Sequence, residues 1–417
     1  MSEEIENVVL ERILRRQEKA NEEILKEIGK VLGEIGELSP SEVYTIGQQL
    51  KYGESLDKIV KILSDTSKIS EVEIYKMLEA EARKNLELKR VYFEAKKLDF
   101  IPYEKNIALQ NKVREIGIAT LETYRNISRT RAIGLTFLDK NGEKITRELP
   151  RAYKQIVDNA IMNVSTGKET FYESLKNQLH TIGQAGVQSI EYESGRHRRI
   201  DSALRMNLSD GLNQLAIAQQ EIVGEQFGFD GYEITTHLMP APDHQYVQGH
   251  IFTIDEYKKL QEDGIAKDIN GKEYDLHLEL KNGETAKGFR PISTNNCYHL
   301  AWSINIGVDK PRYSEEELNK IIEDNNKGFK YEGKKYKTLY DATQKQRQLE
   351  LAIRKNREEE IGLKAALNKL TGENKEKLKL DLDKNRKRTS DLLNKYHDFS
   401  NKAGLPTKLE RTRVLTK

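Results

Sequence analysis

Apolar residues recur at helical spacing through long stretches that are otherwise charged, and this pattern limits the possible folds more than any motif does. Between residues 341 and 397, Leu349, Ile353, Leu363, Leu367 and Leu370 form one stripe. Leu378, Leu382, Leu392, Leu393 and Tyr396 form a second. Stripes this narrow bury one edge of a helix and leave the rest in water. The composition agrees, with 33% charged and 37% hydrophobic residues and only 8 prolines to interrupt helices. A mainly α fold is expected. At 417 residues the chain exceeds what one core ordinarily organises, so two or three domains are expected.

The organisation reads in five parts. Residues 1–100 are amphipathic helices forming an elongated N-terminal region. The first helix spans about 5–38 on Ile5, Val9, Ile13, Ile24, Ile28, Val31, Leu32 and Ile35, and Gly29, Gly33 and Gly36 weaken its end. Ser39-Pro40-Ser41-Glu42 is a helix start, and Ser70 with Glu73 repeats the capping signature. These faces pack in their own bundle or on a partner. Residues 101–227 are helical, interrupted near 135–148 by a hairpin turning at Asn141-Gly142. Helices resume over Ala152–Ile190 and Ile200–Gln226. Residues 228–312 hold a strand-like YEITTHL, a capping box at Thr253–Glu256, and turns at Asn270-Gly271 and Asn282-Gly283. They are expected to form a compact α+β domain with His/Cys-rich turns. A helix capped by Ser314–Glu317 and a small hairpin turning at Gly333 link it, over 313–340, to the last part. Residues 341–417 then form a charged helical hairpin joined near Thr371-Gly372-Glu373-Asn374, or a partner-binding coiled coil, followed by a basic tail.

Charge narrows the function. With 69 basic and 67 acidic residues the net charge is +2, so no whole-chain case for nucleic-acid binding exists. Local patches remain: Arg196-His197-Arg198-Arg199 and the run Lys384, Arg386, Lys387 and Arg388 are candidates for non-specific phosphate contact. A solvated basic surface is the alternative. No aromatic residues interleave with the first patch as stacking platforms. There is one cysteine, so no disulfide forms within the chain. The N-terminus lacks the apolar core of a signal peptide, and no apolar run is of membrane-spanning length. Synthesis in a cytoplasm, with no membrane partner, is expected.

Metal-site chemistry is confined to one window. Five of the eight histidines, His237, His244, His250, His277 and His299, share it with Cys297. His237, Asp243, His244, His250, Cys297 and His299 are the candidate ligands of a zinc site, because Asp243-His244 and Cys297-x-His299 supply two local halves. Residues i and i+2 of an extended segment share a face, which permits the second half. A hydrogen-bonded cluster without metal, and hence no cofactor, is the alternative reading; no Cys-x-x-Cys pair is present. A metal-dependent nuclease would use Asp243, His244 and His299, but His-Glu-x-x-His is absent and no enzyme is expected.

The same window carries a family pattern. His237, Pro242, His244, Gln248, Gly249, Ile251 and Phe252, followed by Asn296, Cys297, His299 and Gly307, resemble the phage minor capsid protein 2 family. They are more distantly similar to the phage Mu F-like head-morphogenesis domain. Tyr124, Asn126, Ser128, Arg129 and Thr130 fit a further segment, as do Tyr192, Ser194, Gly195, Arg196 and Arg205. So do Tyr331, Gly333, Lys334, Tyr336, Tyr340, Gln344, Gln346, Arg347, Glu350, Ile353 and Arg354, so the likeness runs from about residue 100 onward. Ala241, Ser293 and Asn295 depart from the pattern, which often has Arg, Cys and Trp in this region. The resemblance implies a structural minor capsid protein of a tailed-phage virion, near the portal vertex and active in head assembly. It implies portal or major capsid protein as partner. A packaging nuclease and a DNA-binding protein carried in the virion are the alternatives.

Overall fold

Narrow apolar stripes produce long helices: ten α-helices occur among the described residues, against eleven short strands in four small sheets. The protein is mainly α, as the periodicity predicts. The computed structural model describes residues 2–35, 46–128, 133–139, 141–165, 168–189, 198–277, 288–294, 297 and 299–414. In chain order, α1 (Ser2–Ile35), α2 (Ile46–Lys96) and α3 (Ile107–Ser128) lead to β1 (Ile133–Leu138) and β2 (Lys144–Glu148). Then come α4 (Leu149–Ser165), α5 (Phe171–Ala185), β3 (Gln188–Ser189), β4 (Arg198–Arg199) and α6 (Ile200–Phe227). The α+β segment contains β5 (Gly231–Ile234), β6 (Ile251–Thr253), α7 (Ile254–Glu262), β7 (Ile265–Lys267), β8 (Glu273–Asp275) and β9 (Ala301–Ile304). It is followed by α8 (Glu315–Asn326), β10 (Phe329–Tyr331), β11 (Lys334–Tyr336), α9 (Leu339–Leu367) and α10 (Gly372–Lys402).

These elements form two compact units, each assembled from separated stretches of chain. One contains Met1–Glu73, Thr123–Arg205 and Gln346–Lys417; the other contains Ile74–Glu122 and Met206–Lys345. All four boundaries fall inside helices, namely α2, α3, α6 and α9.

In the first unit, β1 and β2 pair antiparallel with Thr136 opposite Thr146. Gly142 takes φ 85° in the turn, and the Asp139 carboxylate accepts from the Asn141 and Glu143 N–H groups. Strand order is β2-β1-β3-β4, and Ile133 to Phe137 are all buried, as suits an inner strand covered on both faces. The helical stretch after the hairpin is two helices. Thr170 caps α5, its hydroxyl accepting from the Glu173 N–H while the Glu173 carboxylate accepts from the Thr170 N–H.

Two early expectations change. Gly29 and Gly33 do not end the first helix; they lie inside α1, where a Cβ would come within 2.6 Å of the Gly362 carbonyl oxygen and 2.8 Å of that of Ala366, while Gly36 lies outside the described residues. They permit close approach of α1 to α9. Ser70 and Glu73 do not start a helix, because α2 runs unbroken for 51 residues. Ile59, Leu63, Ile74, Met77 and Leu78 continue one buried face through that point, and Glu73 accepts two hydrogen bonds from Arg16 at 2.5 and 3.0 Å. The start expected at Ser39–Glu42 and the turn at Asn282-Gly283 lie outside the described residues.

The C-terminal stripes are mostly buried against the chain itself, with Leu367, Leu392 and Leu393 half-buried. Leu349, Ile353, Leu378, Leu382 and Tyr396 are all buried. Tyr396 donates its hydroxyl to Glu350 at 3.2 Å, and Gln346 donates to the Ser400 hydroxyl at 2.9 Å, tying α10 to α9. Tyr172 of α5 donates to the Lys377 carbonyl and to Asp381 on α10.

The second unit carries the candidate site. Its sheet has the order β6-β5-β9, antiparallel throughout. Tyr232, Ile234, Val247, Phe252, Tyr257, Leu260, Phe289 and Ile292 build a core around it. Thr253 caps α7 through the Glu256 N–H, and a capping box at Ser314 and Glu317 starts α8. Gly333 turns the β10–β11 hairpin at φ 79°.

Candidate functional site

The pairing of β5 with β9 brings the site together. Ile234 lies opposite Ala301, and beyond this pair the chain stays bonded: the Thr235 N–H donates to the Leu300 carbonyl, and the Leu300 N–H to the Thr235 hydroxyl, both at 2.8 Å. The residues leaving β5, up to His237, therefore run beside those entering β9, from Cys297 on. The turn that follows closes at Gly249, whose N–H donates to the Ile234 carbonyl at 2.7 Å. Gly249 has φ 75°, and a Cβ there would lie 2.2 Å from Leu318 Cδ2, so only glycine fits. That turn returns His244 and Gln248 to the mouth of the strand pair.

Three side chains converge. His244 Nδ1 lies 3.1 Å from Cys297 Sγ, which lies 3.3 Å from His299 Nδ1. The three are buried, and their potential ligand atoms all lie within 4.8 Å of one another. The far side of each ring meets an acceptor. His244 Nε2 sits 2.7 Å from the Arg290 carbonyl and His299 Nε2 3.1 Å from Gln248 Oε1. The same Gln248 oxygen accepts from the His237 N–H at 3.3 Å, which orients the amide. Each imidazole thus carries its hydrogen on Nε2 and turns the Nδ1 lone pair toward the sulfur.

Burial dominates the electrostatics. It lowers His244 to about 4, with Asp243 opposing the shift, and lowers His237 to about 4. It holds His299 well below the ordinary range, helped by His237 and His244, and pushes the Cys297 thiol up. A buried thiol of raised pKa is a poor nucleophile, and Cys297 is 2% exposed. The arrangement suits metal ligation or a packed hydrogen-bonded cluster far better than covalent catalysis.

The other candidates are placed differently. The His237 ring lies 4.2 Å from that of His299 between centroids. Asp243 accepts from Arg290 Nε and Nη2 at 2.9 and 2.7 Å. His250 lies 3.5 Å from Asp268 and against Tyr274, away from the sulfur group. His277 pairs with Asp275 at 2.8 Å.

Several supporting residues are not among the candidates that the sequence offers. Arg290 neutralises Asp243 and offers its carbonyl to His244. Ser293, fully buried with φ 66°, donates its hydroxyl to the His299 carbonyl at 2.5 Å. Asn213 of α6 donates toward the carbonyls of Ser293 and Cys297, both at 3.3 Å. Of these, Ser293 is marked in the sequence only as a departure from the family pattern, and Arg290 stands out as the single arginine between His237 and His299.

Among the basic candidates, Arg199 is buried and paired with Glu358, and Arg198 is half-buried in β4. Arg196 lies outside the described residues. Lys384, Arg386, Lys387 and Arg388 are exposed on α10, with Lys384 paired to Asp381 and Arg386 to Glu360. No described helix is long and apolar enough to cross a membrane.

A helix-dominated chain with a buried imidazole–thiol cluster beside a small sheet is the class that the geometry defines. A family model described as Phage minor capsid protein 2 matches residues 11–399. The chain belongs to the phage minor capsid protein 2 family and is a structural protein of the phage virion. No curated protein and no solved structure matches it.

Proposed function

We propose that the protein is a head-assembly component close to the portal vertex, docking on the portal protein or the inner face of the major capsid protein. It is made in the bacterial cytoplasm and incorporated into the head. The supporting observation is the family match, which runs through both compact units and both terminal helical regions rather than one motif. Co-expression with the portal protein of the same phage tests it: the two should co-elute on size-exclusion chromatography, and purified virions should contain the chain. Separate elution together with absence from virions would overturn the reading.

Contact with packaged DNA is a second reading, favoured by the exposed Lys384, Lys387 and Arg388 on α10. Binding to duplex DNA should weaken steeply with salt, and replacing these three by Gln should remove about three counterions' worth of that slope. Salt-independent binding, or none, counts against it.

A further inference from the structure

We propose that His244 Nδ1, Cys297 Sγ and His299 Nδ1 bind one zinc ion, which clips the turn after β5 to the segment entering β9. The proposal does not rest on where the protein sits in a virion.

Hydrogen bookkeeping carries it. Carbonyl-type oxygens on the outer side of both rings hold the hydrogens on Nε2: the Arg290 carbonyl for His244 and Gln248 Oε1 for His299. Two buried Nδ1 lone pairs therefore face one sulfur, at 3.1 and 3.3 Å. A thiol has a single hydrogen and satisfies one of them. The other would face sulfur lone pairs with no donor, at a site 2% exposed or less. A cation between the three atoms satisfies both nitrogens and the sulfur together. On binding, the Cys297 thiol releases its proton to solvent and the thiolate becomes the ligand.

The surroundings are those of a metal site. Ligating histidines ordinarily donate the other ring N–H to a carbonyl or carboxylate, and both rings do so here. Tetrahedral zinc with Zn–N near 2.0 Å and Zn–S near 2.3 Å sets N and S about 3.5 Å apart. The observed separations need open by only a few tenths of an ångström. Two imidazoles and a thiolate favour zinc over hard cations. The fourth position falls to His237, whose ring is 4.2 Å from that of His299, or to water. The two halves come from residues 53 apart in sequence, so the ion closes a long loop around a small core.

The test uses the full-length chain, purified without a metal-affinity tag. Elemental analysis should find one zinc per chain. Cobalt(II) exchanged for zinc should show a thiolate-to-cobalt charge-transfer band with tetrahedral ligand-field bands. Cys297→Ser, with its fold checked by circular dichroism, should lose the charge-transfer band. Gln248→Leu, which leaves all three ligands in place, should weaken zinc about tenfold to a hundredfold. His250→Ala should keep the metal. Absence of stoichiometric zinc after zinc loading, or a cobalt spectrum unchanged in Cys297→Ser, would overturn the assignment.

Discussion

At the scale of single residues, the half-buried Lys89 and the buried pair Arg199–Glu358 tie stability to charge. Lys89 packs among Leu86, Leu109 and Val223, and burial draws its pKa from 10.5 down to about 8. The folded state then holds the proton less tightly than the unfolded chain. The cost of burying the charge is fully present below about pH 8 and fades as pH rises toward the unfolded value. Lys89→Met should therefore stabilise the protein by about 1–3 kcal/mol at neutral pH. It should also flatten the rise in stability between pH 8 and pH 10, measured by urea unfolding at each pH. Arg199 and Glu358 form the second case, 8% and 3% exposed. Glu358→Ala leaves a buried guanidinium without its carboxylate and should cost about 3–5 kcal/mol, while the paired replacement Arg199→Met with Glu358→Leu recovers most of it. The run containing Arg199 reads as a phosphate-binding patch because its partner lies 159 positions away and is invisible locally.

At the scale of elements, glycine spacing shows where local preference and packing diverge. Alanine favours a helix interior over glycine by about 1 kcal/mol. At Gly29 the gain is outweighed, because the added Cβ meets backbone of α9 rather than a movable side chain. Gly29→Ala should lower stability by about 1–3 kcal/mol in thermal or urea unfolding, the opposite sign to helix propensity. Capping chemistry tells the reverse story. The box at Ser314 and the cap at Thr253 are legible because the partners are three residues apart, although at Thr253 only half of the expected box forms, the Glu256 carboxylate accepting from Lys259 and the Lys267 N–H instead. The same signature at Ser70 and Glu73 misled, since a long-range partner, Arg16, claims the carboxylate and the buried face of α2 does not break.

At the scale of the whole molecule, neither compact unit is a continuous segment, and each boundary is crossed within a helix. Residues 346–417 belong to the unit that contains the N-terminus, where α9 receives Gly29 and Gly33 of α1. A chain ending at Lys345 should therefore lose more helical circular dichroism than the deleted residues account for, and should expose the apolar face of α1 to dye binding. Loss proportional to the deletion alone would show that the first unit folds without its last segment.

Helical content, the Asn-Gly hairpin, the Gly333 hairpin and the confinement of histidine and cysteine to one window were all determined by the sequence. Each depends on neighbours a few residues apart: helical period, turn chemistry or a local cap. The family pattern was equally legible, since it is carried by ordered short motifs. The site itself was only half legible. Asp243-His244 and Cys297-x-His299 stand out as two local halves, yet local spacing does not say which of the six candidates converge. Tertiary structure separated them: Arg290 engages Asp243, Asp268 lies beside His250, and the β5–β9 pairing together with the turn closed at Gly249 sets His244 and His299 against Cys297. Those choices depend on contacts about 18 to 53 residues apart, which strand pairing creates and local spacing does not encode.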